Sequence, residues 1–120
     1  MEEATCFFTK SEKLLKRKDF LRLSYSGKRV GNKYFTALYL KSKKDKSRLG
    51  ITASKRVGNA VVRNRMKRLV REYFRLNKRE LKKIIDISVI VKKKSAYLTT
   101  KETFSALEYL FKKVVSACDN

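Results

Sequence analysis

The stretch RVGNAVVRNRMKRLVREYFR, residues 56–75, constrains this chain more than any other. Set on a helix at about 100° per residue, Val62, Met66, Leu69 and Tyr73 fall in one line, and Val70 and Phe74 widen it on one flank. Asn64, Lys67, Arg68, Arg71 and Arg75 fall on the far side, with Arg63 and Arg65 at the two boundaries. Such a helix must bury one face and present the other, and Gly58-Asn59 just ahead of it supplies a turn and an N-cap candidate. The stretch carries six arginines and one lysine against one acid, Glu72. Solvated helix faces ordinarily mix signs at i,i+4, and cations belong near a helix C-terminus, where the macrodipole favours them. Here Arg63, Arg65, Lys67 and Arg68 crowd the first turns, with Asn64, a poor helix former, among them. Arginine outnumbers lysine, which suits bidentate, planar contacts to phosphate and base edges. The far face reads as an anion-binding surface.

The whole chain repeats that bias. Its 120 residues hold 32 Lys+Arg against 11 Asp+Glu, a formal net charge of +21. A compact fold carrying that charge repels itself, so a polyanionic partner is expected: nucleic acid, an anionic membrane or a large acidic protein. A 42% apolar content supports a packed core, and the length predicts one domain over residues 1–120, with 1–12 as an extended or flexible arm. A membrane is the weakest candidate, since no apolar run approaches the roughly 20 residues of a spanning helix. The start, MEEATCFFTK, is acidic and has no apolar signal region. Cys6 and Cys118 stand at opposite ends without metal-ligand spacing, as in a reduced, cytoplasmic protein. There is no histidine, the commonest general base. The acids are scattered among lysines and arginines, and Ser54-Lys55, adjacent on an expected strand, point apart. No catalytic residue and no protein-bound metal are expected.

The remaining segments frame the basic helix. RKDFLRLSYS (17–26) predicts a short helix with Phe20, Leu23 and Ser24 on one side and Leu21 and Tyr25 beside them, ended by Gly27 in a left-handed conformation. NKYFTALYLK (32–41) predicts a strand with Tyr34, Thr36 and Leu38 on one face and Phe35, Ala37 and Tyr39 on the other, neither plainly facing solvent. A shorter strand is expected near residues 28–30, a solvated loop over 41–47, and a further strand over 48–55 with Leu49, Ile51 and Ala53 sharing a face. IIDISVIV (84–91) predicts a buried strand. Thr99 and Glu102 form a capping box that opens a last helix with the seam Phe104, Leu107, Phe111, Val114 and Cys118. This order predicts one layer pair of helices on a sheet.

Residues 54–75, SKRVGNAVVRNRMKRLVREYFR, closely resemble the signature block of the bacterial ribonuclease P protein subunit, centred on Arg63-Asn64-Arg65 with Lys67, Arg68 and Arg71 following. KRKDF (16–20), Gly27, Asn32 with Phe35, RLGITASK (48–55), DISVIVKK (86–93) and Leu98-Thr99 look like the family's other blocks, so the resemblance covers about residues 14–115. It implies an α+β fold: a two-layer α/β sandwich of a four-stranded sheet and three helices, with a left-handed β-α-β crossover into the basic helix, like the second domain of ribosomal protein S5. It implies a role as protein subunit to a catalytic RNA that removes 5′ leaders from precursor tRNA with magnesium (Mg2+) held mainly by RNA. The implied partners are the ribonuclease P RNA and precursor tRNA, and neither membrane nor DNA. Lys55, Arg56, Arg63, Asn64, Arg65, Lys67, Arg68, Arg71 and Arg75 become the expected RNA-binding residues. The leader-binding cleft is expected from Phe20, Ser24, Tyr34, Thr36 and Leu38. Ser24 and Leu38 stand where the family often has aromatics, with Tyr25 and Tyr34 as candidate substitutes. A structural RNA-binding protein, such as a ribosomal protein or RNA chaperone, shares the charge and the basic helix; the 54–75 block separates the two readings.

Overall fold

The computed structural model describes residues 16–81 and 83–118; the expected arm with Cys6 lies outside them. Helix α1 (Arg17–Ser26) leads into β1 (Lys28–Gly31), β2 (Phe35–Lys41) and β3 (Arg48–Thr52). Helix α2 (Ala60–Asn77), β4 (Ile85–Val91) and α3 (Thr100–Cys118) follow, with short 3-10 turns at Lys78–Glu80 and Lys93–Tyr97. The four strands form one sheet in the order β1-β2-β4-β3. β1 and β4 run antiparallel to β2, and β3 runs parallel to β4. A parallel neighbour needs a long return connection, and α2 supplies it.

The sheet is covered on both faces, which explains why residues 35–39 of β2 and 85–89 of β4 are all buried. On one face Phe35, Ala37, Tyr39, Leu49, Ile87 and Val89 meet Met66, Leu69, Val70, Tyr73 and Phe74 of α2 and Leu107, Leu110, Phe111 and Val114 of α3. The seam expected for α2 is the seam observed. Its aromatics continue into α3, with Tyr73 edge-on to Phe104 and Phe111 at centroid distances of 5.7 and 5.1 Å. The α3 seam holds Leu110 as well as the expected Phe104, Leu107, Phe111 and Val114; the side chain of Cys118 lies outside the described ones. Its capping box forms, Thr99 N donating to Glu102 Oε1 (2.9 Å) and Glu102 N to Thr99 Oγ1 (3.1 Å). Those hydrogen bonds, the backbone one foremost, lower the Glu102 pKa below the usual carboxylate value.

On the opposite face α1 lies across β2 and β4, with Leu23 and Leu38 buried together and Phe20, Leu40 and Ile90 packed around them. Apolar contact alone is small here, and a charged knot completes it. Asp86, fully buried near the start of β4, accepts from Arg48 Nε (2.9 Å) and Nη2 (2.8 Å) and from Arg22 Nη1 (3.2 Å). Arg48 Nη2 also donates to Asp19 Oδ1 at 3.2 Å, and Arg22 Nη2 to the Lys41 carbonyl at 3.2 Å. Two residues of α1 are thereby tied to β3 and β4. The Asp86 hydrogen bond, ahead of the opposing effect of burial, raises the Arg48 pKa above its ordinary value.

Two sequence expectations shift. Gly27 ends α1 in an extended conformation (φ −72°, ψ 151°) rather than a left-handed one. A side chain is excluded there by space: a Cβ would stand 2.4 Å from the Leu23 carbonyl oxygen. The strand expected over 32–41 begins at Phe35, because Asn32 folds into a turn in which its Oδ1 accepts from Tyr34 N and Phe35 N, both at 2.9 Å.

Leu69→Ala opens a cavity between α2 and the sheet and lowers unfolding free energy by about 2–5 kcal/mol. Asp86→Ala strands two guanidinium groups at a desolvated position and lowers it by about 3–5 kcal/mol. Denaturant unfolding of the two variants checks both values, and wild-type stability in either one contradicts the packing described here.

Candidate nucleic-acid interface

The basic helix is launched by a rigid turn. β3 ends at Thr52, three residues short of the expected strand, so Ser54, Lys55 and Arg56 lie in the connection to α2. Val57 N donates to the Ser54 carbonyl at 3.0 Å, and the Val57 side chain is buried in the core. Lys55 and Arg56, between those anchors, stay exposed. Gly58 follows with φ 158°, where a Cβ would stand 3.0 Å from Val62 Cβ and Cγ1. Asn59 caps the helix, its Oδ1 accepting from Val62 N at 3.0 Å. A dense cluster of positive charge is thus held at a helix start that the apolar seam and this cap, not the macrodipole, stabilise.

The side chains of α2 divide into three groups. Asn64, Arg68 and Arg71 are exposed, and Lys67 is half-buried at the margin. Arg65 and Arg75 serve the protein as well: Arg65 Nη2 donates to the Leu98 carbonyl at 3.2 Å, and Arg75 pairs with Glu72. The Arg75 hydrogen bond lowers the Glu72 pKa, which fixes the helix's acid in its charged state. Arg63 is half-buried, and its Nε is buried with no hydrogen-bond partner among the described residues. A buried guanidinium N–H without a partner is uncommon, and it sets Arg63 apart from the exposed cations of the basic face. Lys55, Arg56, Asn64, Lys67, Arg68 and Arg71 therefore form an outward set of cations and one amide on a fixed scaffold.

The second expected set is only partly brought together. Phe20 and Leu38 meet under α1, and Ser24 is exposed on the same helix, beside Tyr25, which is 86% exposed. Thr36 lies on the same sheet face but is 2% exposed, so it offers no open surface. Tyr34 does not join them. The turn made by Asn32 puts it ahead of β2 and out of the strand alternation, and its ring packs against the helix-side core, next to α3. The Asp86 knot was missed at the sequence level. Its signal was an acid inside the apolar run IIDISVIV, where a carboxylate buried in a strand requires cationic partners.

Among the described residues no group of three or more His, Cys, Asp or Glu side chains is placed to hold a metal ion, and the donor set does not suit a magnesium site. No helix among them is long and apolar enough to cross a membrane.

Comparison with known proteins agrees with this geometry. The family model described as Ribonuclease P matches residues 8–115. A ribonuclease P protein component of Desulforapulum autotrophicum is 53% identical over 108 residues, covering 90% of this chain and 92% of that one. The Staphylococcus aureus RNase P protein structure superposes with a TM-score of 0.83 at 36% identity, over 88% of this chain and 96% of that one. The Thermotoga maritima RNase P protein gives 0.77 at 40% identity, over 85% and 96%. With the basic helix, its cap and the mixed sheet in place, the chain belongs to the ribonuclease P protein family and is the protein component of that endoribonuclease, not a ribosomal protein or a general RNA chaperone.

Proposed function

We propose that the outward face of α2, with Lys55 and Arg56, binds the ribonuclease P RNA, and that the α1 side of the sheet receives the 5′ leader of precursor tRNA. The observation that carries the first part is the segregation of Asn64, Lys67, Arg68 and Arg71 from the core on a helix capped and seated without their help. Hydrolysis is assigned to the RNA subunit, which would hold the Mg2+ and would supply the activated water through it; no residue of this chain is given that task. The protein's part is electrostatic and positional. Its net charge of +21 relieves repulsion between two polyanions that otherwise only concentrated cations screen. Phe20 supplies an aromatic face at the leader site, in reach of the exposed α1 residues Ser24 and Tyr25, and the Asp86 knot fixes where α1 sits. Leu38 forms part of the floor. The setting is the cytoplasm, where both cysteines stay reduced.

Arg68→Ala and Arg71→Ala each reduce the salt dependence of RNA-subunit binding by about one unit of slope and leave the melting temperature unchanged. Arg65→Ala weakens RNA binding too, but lowers the melting temperature as well, because the Leu98 carbonyl loses its donor. Binding titrations at several salt concentrations, paired with thermal melts, test this division; equal slopes for wild type and both exposed-site variants would reduce the face to solvated surface.

Cleavage assays separate the roles of the two subunits. Protein without RNA leaves precursor tRNA intact at every magnesium concentration. RNA alone cleaves at high magnesium, and added protein restores cleavage at low magnesium. Cleavage by RNA-free protein would overturn the assignment of the chemistry. For the leader, affinity measured over a ladder of leader lengths rises over the first several nucleotides and then levels off. Phe20→Ala diminishes that rise by roughly five- to a hundredfold, the range of one aromatic–base stack, with little change in salt slope. A full length dependence in Phe20→Ala places the leader elsewhere.

A further inference from the structure

Tyr34, displaced from the α1 side, lines a different concavity. The turn before β2 and the first half of α3 enclose a depression of about 480 Å3 walled by Lys33, Tyr34, Lys101 and Tyr109, with Leu98 and Ser105 at its margin. Both rings carry a lysine: Lys33 Nζ lies 5.2 Å from the Tyr34 centroid, and Lys113 Nζ 4.7 Å from that of Tyr109. The walls are braced. Asn32 Nδ2 donates to the Ala106 carbonyl at 3.1 Å, and Lys113 Nζ donates to the Gly31 carbonyl at 3.0 Å, so turn and helix are joined twice across the depression. Tyr109 nevertheless remains 60% exposed, far more than packing on a core-forming helix requires. The acid at the rim, Glu102, is engaged with the N-terminus of α3 through the capping box.

Concavity, aromatic walls and a local excess of lysine match single-stranded nucleic acid, in which bases stack and phosphates pair with cations. Asn32 has both side-chain polar atoms occupied, Oδ1 within the turn and Nδ2 on the Ala106 carbonyl of α3, so stacking rather than base-edge reading would govern recognition. The depression also adjoins the basic helix: Leu98, at its margin, is the residue whose carbonyl accepts from Arg65. We infer that this depression binds an unpaired nucleotide segment of the ribonuclease P RNA, extending the α2 contact around the start of α3. The inference rests on the assignment of the α2 face to that RNA. It favours the RNA subunit over the leader because the depression is contiguous with Arg65, whereas Phe20 and Leu38 lie on the other side of the sheet.

The test uses the full chain and the cognate ribonuclease P RNA. Tyr109→Ala, at an exposed position, melts like wild type and weakens RNA-subunit binding roughly five- to a hundredfold with unchanged salt slope. Tyr109→Phe restores the affinity, and Lys101→Ala lowers the slope by about 1. The preference for precursor over mature tRNA stays at its wild-type value in each variant. Wild-type affinity in Tyr109→Ala, with Arg68→Ala weakened in the same assay, overturns this inference and leaves the α2 assignment standing. Wild-type affinity in both overturns the two together. A Tyr109→Ala defect seen only with leader-bearing substrate assigns the depression to the leader and also overturns the inference.

Discussion

The architecture depends on one buried carboxylate. Asp86 sits where β4 passes beneath α1, with no exposure to water, and its charge is tolerable only because Arg48 and Arg22 converge on it. Those arginines come from β3 and α1, so the solvation of one side chain requires three elements to be correctly placed. An apolar residue at this position would give packing without direction. The carboxylate instead holds Arg48 of β3 in a bidentate pair and ties α1 down through Arg22, which donates both to Asp86 Oδ2 and to the Lys41 carbonyl. Asp19 adds a second acid to Arg48 from α1 itself. The α1 side of the sheet is therefore mounted on an ion network, while the basic helix is mounted on an apolar core.

That difference matters for a protein with so much like charge. On α2 the cations that face outward contribute nothing to holding the helix down, so they are available to a partner without weakening the fold. Arg65 and Arg75 mark the margin where one side chain serves both purposes. Glu72, kept ionised by Arg75, confines negative charge to the C-terminal half of the helix, away from the cap. The N-terminal half then presents an uninterrupted positive field. Field strength and fold stability are thereby set by different residues and can vary separately.

The sequence disclosed these features unevenly, for physical reasons. The α2 seam was legible because a 3.6-residue period over many turns has one solution, and the capping box because its two residues have a fixed spacing. The strands were legible as elements but not at their ends. Asn32 closes a turn with its side chain, and a Tyr-Phe-Thr alternation gives no hint that Tyr34 has already left the sheet plane. Gly27 was recognisable as a stop, yet the reason for glycine is the nearby Leu23 carbonyl, a contact in three dimensions. The Asp86 network joins residues 64 and 38 positions apart, and no local pattern encodes such partners. Among the expected site residues, those on α2 share a helix, and Asn64, Arg68 and Arg71 come out exposed together, while Arg65 and Arg75 also bond within the protein. Those assigned to the cleft came from separate elements, and there Thr36 proved buried and Tyr34 turned to the other side.

The strand order has a consequence for synthesis. β4 occupies the place between β2 and β3, yet it is the last strand to leave the ribosome. Until residues 85–91 are available, β2 can pair only with β1, β3 has no neighbour in the sheet, and α2 has neither β4 nor α3 to cover its apolar seam. Before residues 85–91 are made, the apolar seam of α2 therefore lacks most of the surface that covers it in the folded chain. Domains with such non-local pairing fold slowly and expose adhesive surface while they do so. For this chain, the emergence of β4 is the event that joins β2 and β3 into one sheet on which α2 can pack.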